Sequence, residues 1–344
     1  MTSDDEQLLE LDGHEVRLSS PGKLLFRERG ETKRDLVDYY LRVADPLMRT
    51  MGARPVLLQR FPQGAGGPSF FQKRVPKNAP EWLETTTVMT VNGTPSNALV
   101  IADRAHVVWA VNLGTLGFHV WPYLADEPQA ADELRLDLDP QPGTDFDDVT
   151  STAAVIREVY AHLGFEGFPK TSGGRGVHVY LRIKPEFTFI QVRRAAIALA
   201  REAERRRPDL ITTSWWKEER GERVFIDFNQ MARDRTIACA YSLRANARAT
   251  VSTPVTWDEL PEVEPDDFDL RTVPARFAEK GDAHAGIDEV AYDITPLLEW
   301  SERDEKAGQG DMPYPPDHPK MPGEPPRVQP SRKNAANWDG DQPR

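Results

Sequence analysis

The stretch LRLDLDPQPG, residues 134–143, decides how this chain is read. Leu134, Leu136 and Leu138 share one phase, and Asp137 and Asp139 share the other. A strand repeats every two residues, so the leucines enter a core while the two carboxylates project side by side from the opposite face. Like charges that close raise each other's proton affinity unless solvent, a basic side chain or a divalent cation cancels them. A solvated strand edge is the plainest of these readings, and a lone DxD does not choose among them.

The 344 residues carry a net charge of −12, 39% hydrophobic side chains and a single cysteine, Cys239. No apolar run is long enough to cross a bilayer, and the acidic start MTSDDEQLLE lacks the basic-then-apolar layout of a secretory signal. One cysteine excludes an internal disulfide framework and agrees with a cytoplasmic setting and no membrane partner. The charge is unevenly spread. Residues 258–311 hold 17 acidic and 5 basic side chains, a solubilising face on the plainest reading. Residues 49–77 hold Arg49, Arg54, Arg60, Lys73, Arg74 and Lys77 with no acid. Local sign is what a phosphate backbone feels, so the acidic total does not exclude nucleic acid.

Apolar spacing predicts a helix over 33–50, kinked or shortened by Pro46, and further helices over 145–163 and 190–207. β-prone runs lie at 86–91, 97–102, 106–111, 133–139, 177–183, 224–228 and 236–241, with a Gly/Pro loop at 61–69. Helices and strands intermix without strict alternation. The fold class expected is α+β, with a central mixed or antiparallel sheet flanked by helices in one catalytic domain over 15–300. A flexible segment 1–14 precedes it, and a Pro-rich extended or disordered tail, 301–344, follows.

A second acid stands in an apolar strand, Asp227 of RVFIDFNQ (223–230). An unpaired buried carboxylate is costly, so Asp227 either takes a basic partner such as Arg223 or Arg235 or joins Asp137 and Asp139. Three carboxylates are the usual make-up of a hard-cation site for Mg²⁺ or Mn²⁺. Between these strands lies TSGGRGVHVYL, 171–181. Its glycines free backbone N–H groups to cradle an anion, Ser172 and Arg175 add a hydroxyl and a cation, and His178 emerges beside the loop. A plain β-turn explains most such loops. A phosphate cradle together with a carboxylate cluster points to chemistry on a nucleotide assisted by two cations.

LDLDP, SGGRGVHVY, VFIDFNQ and AYSLRAN (240–246), in that order, resemble the archaeo-eukaryotic primase superfamily, and within it the polymerase domain of bacterial ligase D. PGKLLFRERGETKRDLVDYY (21–40), RPVLLQRFPQGAGGPSFFQKR (54–74) and FHVWPY (118–123) extend the likeness over about residues 15–290. A stand-alone actinobacterial member of that group is the expectation. The resemblance implies a primase-polymerase fold in which Asp137, Asp139 and Asp227 hold two divalent ions, Mn²⁺ or Mg²⁺, for attack of a primer 3′-hydroxyl on the α-phosphate. It implies that His119, Ser172, Arg175, His178, Gln230 and Arg244 hold the nucleotide. Lys23 and Lys33 match lysines that bind a 5′-phosphate across a gap, and Phe70 and Phe71 match aromatics that stack on bases. Arg60 and Lys73 belong to the same basic stretch, and Lys217 and Arg220 join Trp215 and Trp216 in a template-side patch. The activity implied is template-dependent nucleotidyl transfer that fills short gaps in DNA repair with NTPs or dNTPs, ribonucleotides accepted. Its substrates are gapped or primer-template DNA with a 5′-phosphate. A separate ligase or an end-joining or excision-repair protein would complete the repair, at the nucleoid.

Two departures bear on the role. Gln59 stands where end-joining relatives carry a basic residue, and the 84–97 loop has no Lys or Arg, which favours gap filling on one duplex over bridging two ends. No KxDG motif is present, so the chain does not seal nicks. Three other readings stay open: a metal-dependent nuclease, a non-catalytic DNA-end-binding module, and a DxD glycosyltransferase. The first gains nothing from the Ser172, Arg175, His178 and Arg244 set, the second does not explain three retained acids, and the third leaves Asp227 and the basic-aromatic region without a role.

Overall fold

The computed structural model describes residues 6–89 and 94–312. Strands β1 (Glu6–Leu11) and β2 (His14–Ser19) form a hairpin in unbroken register. Asp12 and Gly13 turn it, both at positive φ, as a two-residue turn between right-twisted strands requires. Over residues 6–14 this differs from the flexible segment expected for 1–14, and residues 1–5 lie outside the described residues. Val16 and Leu18 are buried against α3 (Arg104–Asn112, described below), so the hairpin is anchored by packing as well as by its ladder.

β3 (Leu24–Phe26) and β4 (Glu31–Thr32) lead into α1 (Lys33–Arg42) and α2 (Ala44–Met51). A capping box between Thr32 and Asp35 starts α1. The single helix predicted over 33–50 is two, broken at Val43, which places Pro46 in the first turn of α2 where no intrahelical N–H is missed. Next come β5 (Pro55–Arg60), β6 (Phe70–Gln72), β7 (Thr85–Met89) and β8 (Pro95–Val100). The run 106–111, predicted as a strand, lies inside α3. Asp103 caps that helix by accepting from the His106 N–H, and the helix is buried on nearly every side. A helix apolar all round shows no period to distinguish it from a buried strand.

β9 (Thr115–Val120) and β10 (Glu133–Pro140) precede α4 (Phe146–His162), β11 (Phe168–Thr171), β12 (Val177–Arg182) and α5 (Phe189–Arg206). β13 (Ile211–Thr212), β14 (Val224–Asp227), β15 (Ile237–Ala238), α6 (Thr272–Lys280) and α7 (Thr295–Lys306) complete the order. The strands form two main sheets instead of one central sheet: β11-β12-β10-β14-β13, and β15-β9-β5-β8-β7 with β6 on β5. All pairs are antiparallel except β13 with β14, so the α+β class and the mixed sheet stand. Leu134, Leu136 and Leu138 are fully buried beside Val177, Val179, Leu181 and Ile226, on the face covered by α4 and α5. Arg135 ties the two sheets: its buried guanidinium donates to the Val120 carbonyl at 2.9 Å.

α7 packs along α5 and runs past residue 300, so the folded part extends beyond the expected domain limit. Residues 313–344 of the Pro-rich tail and 90–93 of the 84–97 loop lie outside the described residues. Among the described residues no helix is long and apolar enough to cross a membrane.

Candidate active site

Strand register builds the site. β11 sets Lys170 opposite His178 of β12, β12 sets His178 opposite Asp137 of β10, and β10 sets Asp137 opposite Asp227 of β14. Residues directly opposite across a ladder share a face, so Lys170, His178, Asp137 and Asp227 form one row over four strands. Asp139 lies two residues beyond Asp137 on that same face. The three acids that sequence reading singles out are therefore brought together. Arg223, a partner offered for Asp227, donates instead to the carbonyls of Glu219 and Arg220.

The carboxylates repel. Asp137 has its proton affinity raised well above the usual value by burial first, then by Asp139 and Asp227, against the opposing pull of Lys170 and Arg244. Asp139 is raised by desolvation and Asp227, with Arg220, Arg175 and Lys217 opposing. Asp227 accepts from the Asn229 N–H at 2.9 Å through Oδ1 and from Gln230 Nε2 at 3.2 Å through Oδ2. The same Gln230 nitrogen reaches Asp137 Oδ2 at 3.4 Å. Gln230, expected at the ribose, thus holds a neutral amide between two acids. With the amide there the set is not closed: among the described residues no three His, Cys, Asp or Glu side chains are gathered to hold a metal ion. The chemistry of the donors nonetheless fits a hard divalent cation, since carboxylate oxygens with uncancelled mutual repulsion are what such an ion relieves.

The loop after β11 is organised by Ser172, whose Oγ accepts from the N–H groups of Gly174 and Gly176, both at 3.1 Å. Its hydroxyl hydrogen stays available. Gly173 has φ +70°, and a Cβ there would lie 2.5 Å from Arg244 Cγ; a Cβ at Gly176 would lie 2.4 Å from the Leu138 carbonyl oxygen. No side chain fits at either place, and Arg244 packs on the loop as a result. Among the described residues no hydrogen bond or ion pair claims the Arg244 guanidinium. Arg175 is exposed and donates to the Pro140 carbonyl. His119 enters from β9 of the other sheet. Burial, with Arg244 and Lys170, pushes it down to about 3, and among the described residues its buried Nε2 has no partner.

The residues expected at DNA divide into two groups. Phe70 and Phe71 are 48% and 53% exposed on β6, with Arg60 over the Phe70 ring and the edge of Phe71 against His119. Lys23 is exposed and donates to the Pro62 carbonyl, beside a groove of about 410 Å³ bordered by Phe26, Arg27 and residues 63–68. Lys217 is exposed, and Lys73 is half-buried with its proton affinity lowered by desolvation. Two residues differ. Lys33 is buried, donates to the Ser19 and Asn112 carbonyls at 2.6 and 3.2 Å, and is pushed down to about 8 by burial and by Lys23. Arg220 is buried over the Phe225 ring and donates to the carbonyls of Ser214 and Trp215. In this conformation both cations serve the fold and are not presented to a duplex. Lys170 escaped sequence reading altogether; its one signal is a lysine two residues ahead of the glycine loop.

Residues 32–284 match the LigD primase-polymerase domain family. The chain is 31% identical over 79% of its length to a multifunctional non-homologous end joining protein LigD of Mycolicibacterium smegmatis, covering 36% of that protein. It is 30% identical over 77% of its length to a bifunctional LigD of Bacillus subtilis, covering 43% of it. The chain thus spans less than half the length of these relatives. The polymerase domain of Mycobacterium tuberculosis ligase D in complex with DNA superposes with a TM-score of 0.75 at 29% identity, over 80% of this chain and 99% of that one. On fold, motif order and these likenesses together, the chain belongs to the family of LigD primase-polymerase domains.

Proposed function

We propose that the protein extends a DNA 3′ end by templated nucleotidyl transfer, filling short gaps in end-joining or excision repair. The observation that carries this reading is the facing pair Asp137 and Asp227 with Asp139 alongside, three acids on one face of the sheet, of which Asp137 and Asp139 have a raised proton affinity. Asp137, Asp139 and Asp227 would hold Mn²⁺ or Mg²⁺, two ions in the complete site, once Gln230 withdraws its amide. Bound there, such cations neutralise a triphosphate and the charge that develops on the attacked phosphorus.

The chain's own groups do the rest. The exposed Arg175 and the unclaimed Arg244 each pair two phosphate oxygens, because a planar guanidinium matches that geometry. Ser172, whose Oγ already holds the Gly174 and Gly176 N–H groups, donates its hydroxyl hydrogen to the anion. His119 stays neutral and holds an open ring nitrogen at the nucleotide. Phe70 and Phe71 stack on bases, worth about 1–3 kcal/mol per base and indifferent to sequence. Lys23 meets a 5′-phosphate. NTPs and dNTPs both serve, ribonucleotides among them. The absence of Lys and Arg from 84–97, together with Gln59, favours work on one gapped duplex.

A labelled primer on a short gapped duplex, with Mn²⁺ and either NTPs or dNTPs, tests this. Extension that disappears in Asp137→Ala/Asp139→Ala supports the proposal. Shortening of the primer would make the protein a nuclease, and a gel shift without either would make it a binding module.

A further inference from the structure

Lys170 ends the row of four and has no role in the site as derived so far. Its side chain is fully buried, at 0% exposure, and among the described residues no carboxylate lies within ion-pair reach of its Nζ. A buried ammonium without a counter-ion is costly, and an apolar side chain of the same length would remove that cost. Cys239 does not serve as counter-ion, because burial pushes its thiol up to about 12.

What holds Lys170 is three acceptors for three hydrogens: His178 Nδ1 at 2.7 Å, the Ala238 carbonyl at 3.0 Å, and Ser252 Oγ. Two of the three directions are fixed by the acceptors, and the third follows from the lysine's charge. A carbonyl only accepts. Ser252 gives its own hydrogen to the Thr171 carbonyl at 2.8 Å, so its oxygen accepts from Lys170. Burial lowers Lys170 to about 7, so below that pH it is an ammonium with no lone pair, and His178 Nδ1 then accepts and bears no hydrogen; the neutral amine would accept from Nδ1–H instead. The proton of the neutral ring is then on Nε2, which faces Asp137 Oδ1 at 3.4 Å. A tautomer is set by the bond the other ring nitrogen makes, and here that bond comes from a lysine.

We propose that Lys170 is a positioning residue that fixes His178 as a neutral Nε2–H donor, aimed at Asp137 and at the anion bound beside it. His178 so held donates a hydrogen bond without having to take up a proton, and it cannot rotate its acceptor nitrogen toward the carboxylates. The kinetic consequence rests on the nucleotidyl-transfer reading; the tautomer does not.

The test uses ¹⁵N-histidine-labelled protein, with His178 assigned by loss of its signals in His178→Gln. At about pH 6, where Lys170 carries its third hydrogen, nitrogen shifts of the Nε2–H tautomer are expected in the wild type, and a mixture of tautomers in Lys170→Met. On the gapped duplex, Lys170→Met should lose about 10- to 100-fold in kcat/KM, as loss of an outer partner does. Lys170→Arg should recover part of it. In a His178→Ala background Lys170→Met should cost less than about 2-fold. A wild-type His178 protonated on Nδ1 or on both nitrogens would overturn the proposal, and so would an undiminished Lys170→Met loss without His178. Should Lys170→Met not fold, the wild-type spectrum and Lys170→Arg decide. An Nε2–H spectrum in a protein that extends no primer would leave the tautomer standing and remove the polymerase reading instead.

Discussion

Strand β10 has acids at both ends, and the two ends behave in opposite ways. At its start, Asp132 and Glu133 sit among guanidiniums: Arg54 Nη1 reaches Asp132 Oδ1 at 2.7 Å, and Arg182 Nη1 reaches Asp132 Oδ2 at 2.7 Å. Burial by itself would raise the Asp132 carboxyl, but Arg54 and then Arg182 outweigh it and hold the group below the usual range. A few residues along, Asp137 is raised by burial and by two further acids, with no arginine in contact among the described residues. Both ends belong to one strand, with Glu133 buried, Asp137 half-buried and Asp139 exposed. The difference is that the first charge is neutralised by the protein, and the second is left for something the protein binds. Perturbed acids without an internal partner mark sites of function; paired ones mark structure.

The largest test of that contrast is Asp137→Asn with Asp139→Asn. Primer extension should fall on the order of 10³-fold or more, several kcal/mol of transition-state stabilisation, while the melting temperature does not fall, because repulsion has been removed. A melting temperature lowered as far as by a change at Asp132 would erase the distinction. Asp132→Ala is the mirror experiment. It removes Arg54's hydrogen-bonded acid and leaves it Glu133 at 3.5 Å, and should cost about 1–3 kcal/mol in chemical denaturation, with kcat per folded molecule unchanged.

Mn²⁺ sharpens the comparison further. At 100 times its dissociation constant it should stabilise the wild type by about 2.7 kcal/mol, seen as a raised melting temperature, and leave Asp137→Asn/Asp139→Asn where it was. Equal shifts in both proteins would place the cation elsewhere. The smallest effect is in acid. Asp132 is depressed in the folded state, so its share of stability is present above its unfolded value near 3.8 and is lost as pH falls through the lower folded value. Unfolding free energies between pH 2 and 5 should therefore show Asp132→Asn and wild type converging as pH drops. A constant gap would mean the carboxylate charge contributes nothing.

Much of the site could be read from local pattern. Alternation in LRLDLD put Asp137 and Asp139 on one face and the leucines on the other, and both faces are as expected. The glycines of SGGRG marked a place where backbone must approach closely, and Gly176 proves to have no room for a Cβ against Leu138. Local pattern misled where burial removed it: α3 is apolar on all sides and shows no helical period, and the Asp12–Gly13 turn signal was passed over near a terminus. It also misplaced Lys33 and Arg220, because a basic residue has the same letter whether it faces a phosphate or donates to buried carbonyls.

The order of residues settled the phase of each strand, hence which acids travel together and what kind of ion their oxygens would accept. That much is a matter of backbone geometry with a period of two. Folding settled which strands are neighbours and in what register, so that Lys170, His178, Asp137 and Asp227 came to share one row. Register depends on packing between segments far apart in the chain, and so does the burial that turned Lys170 into a donor with one histidine nitrogen to meet.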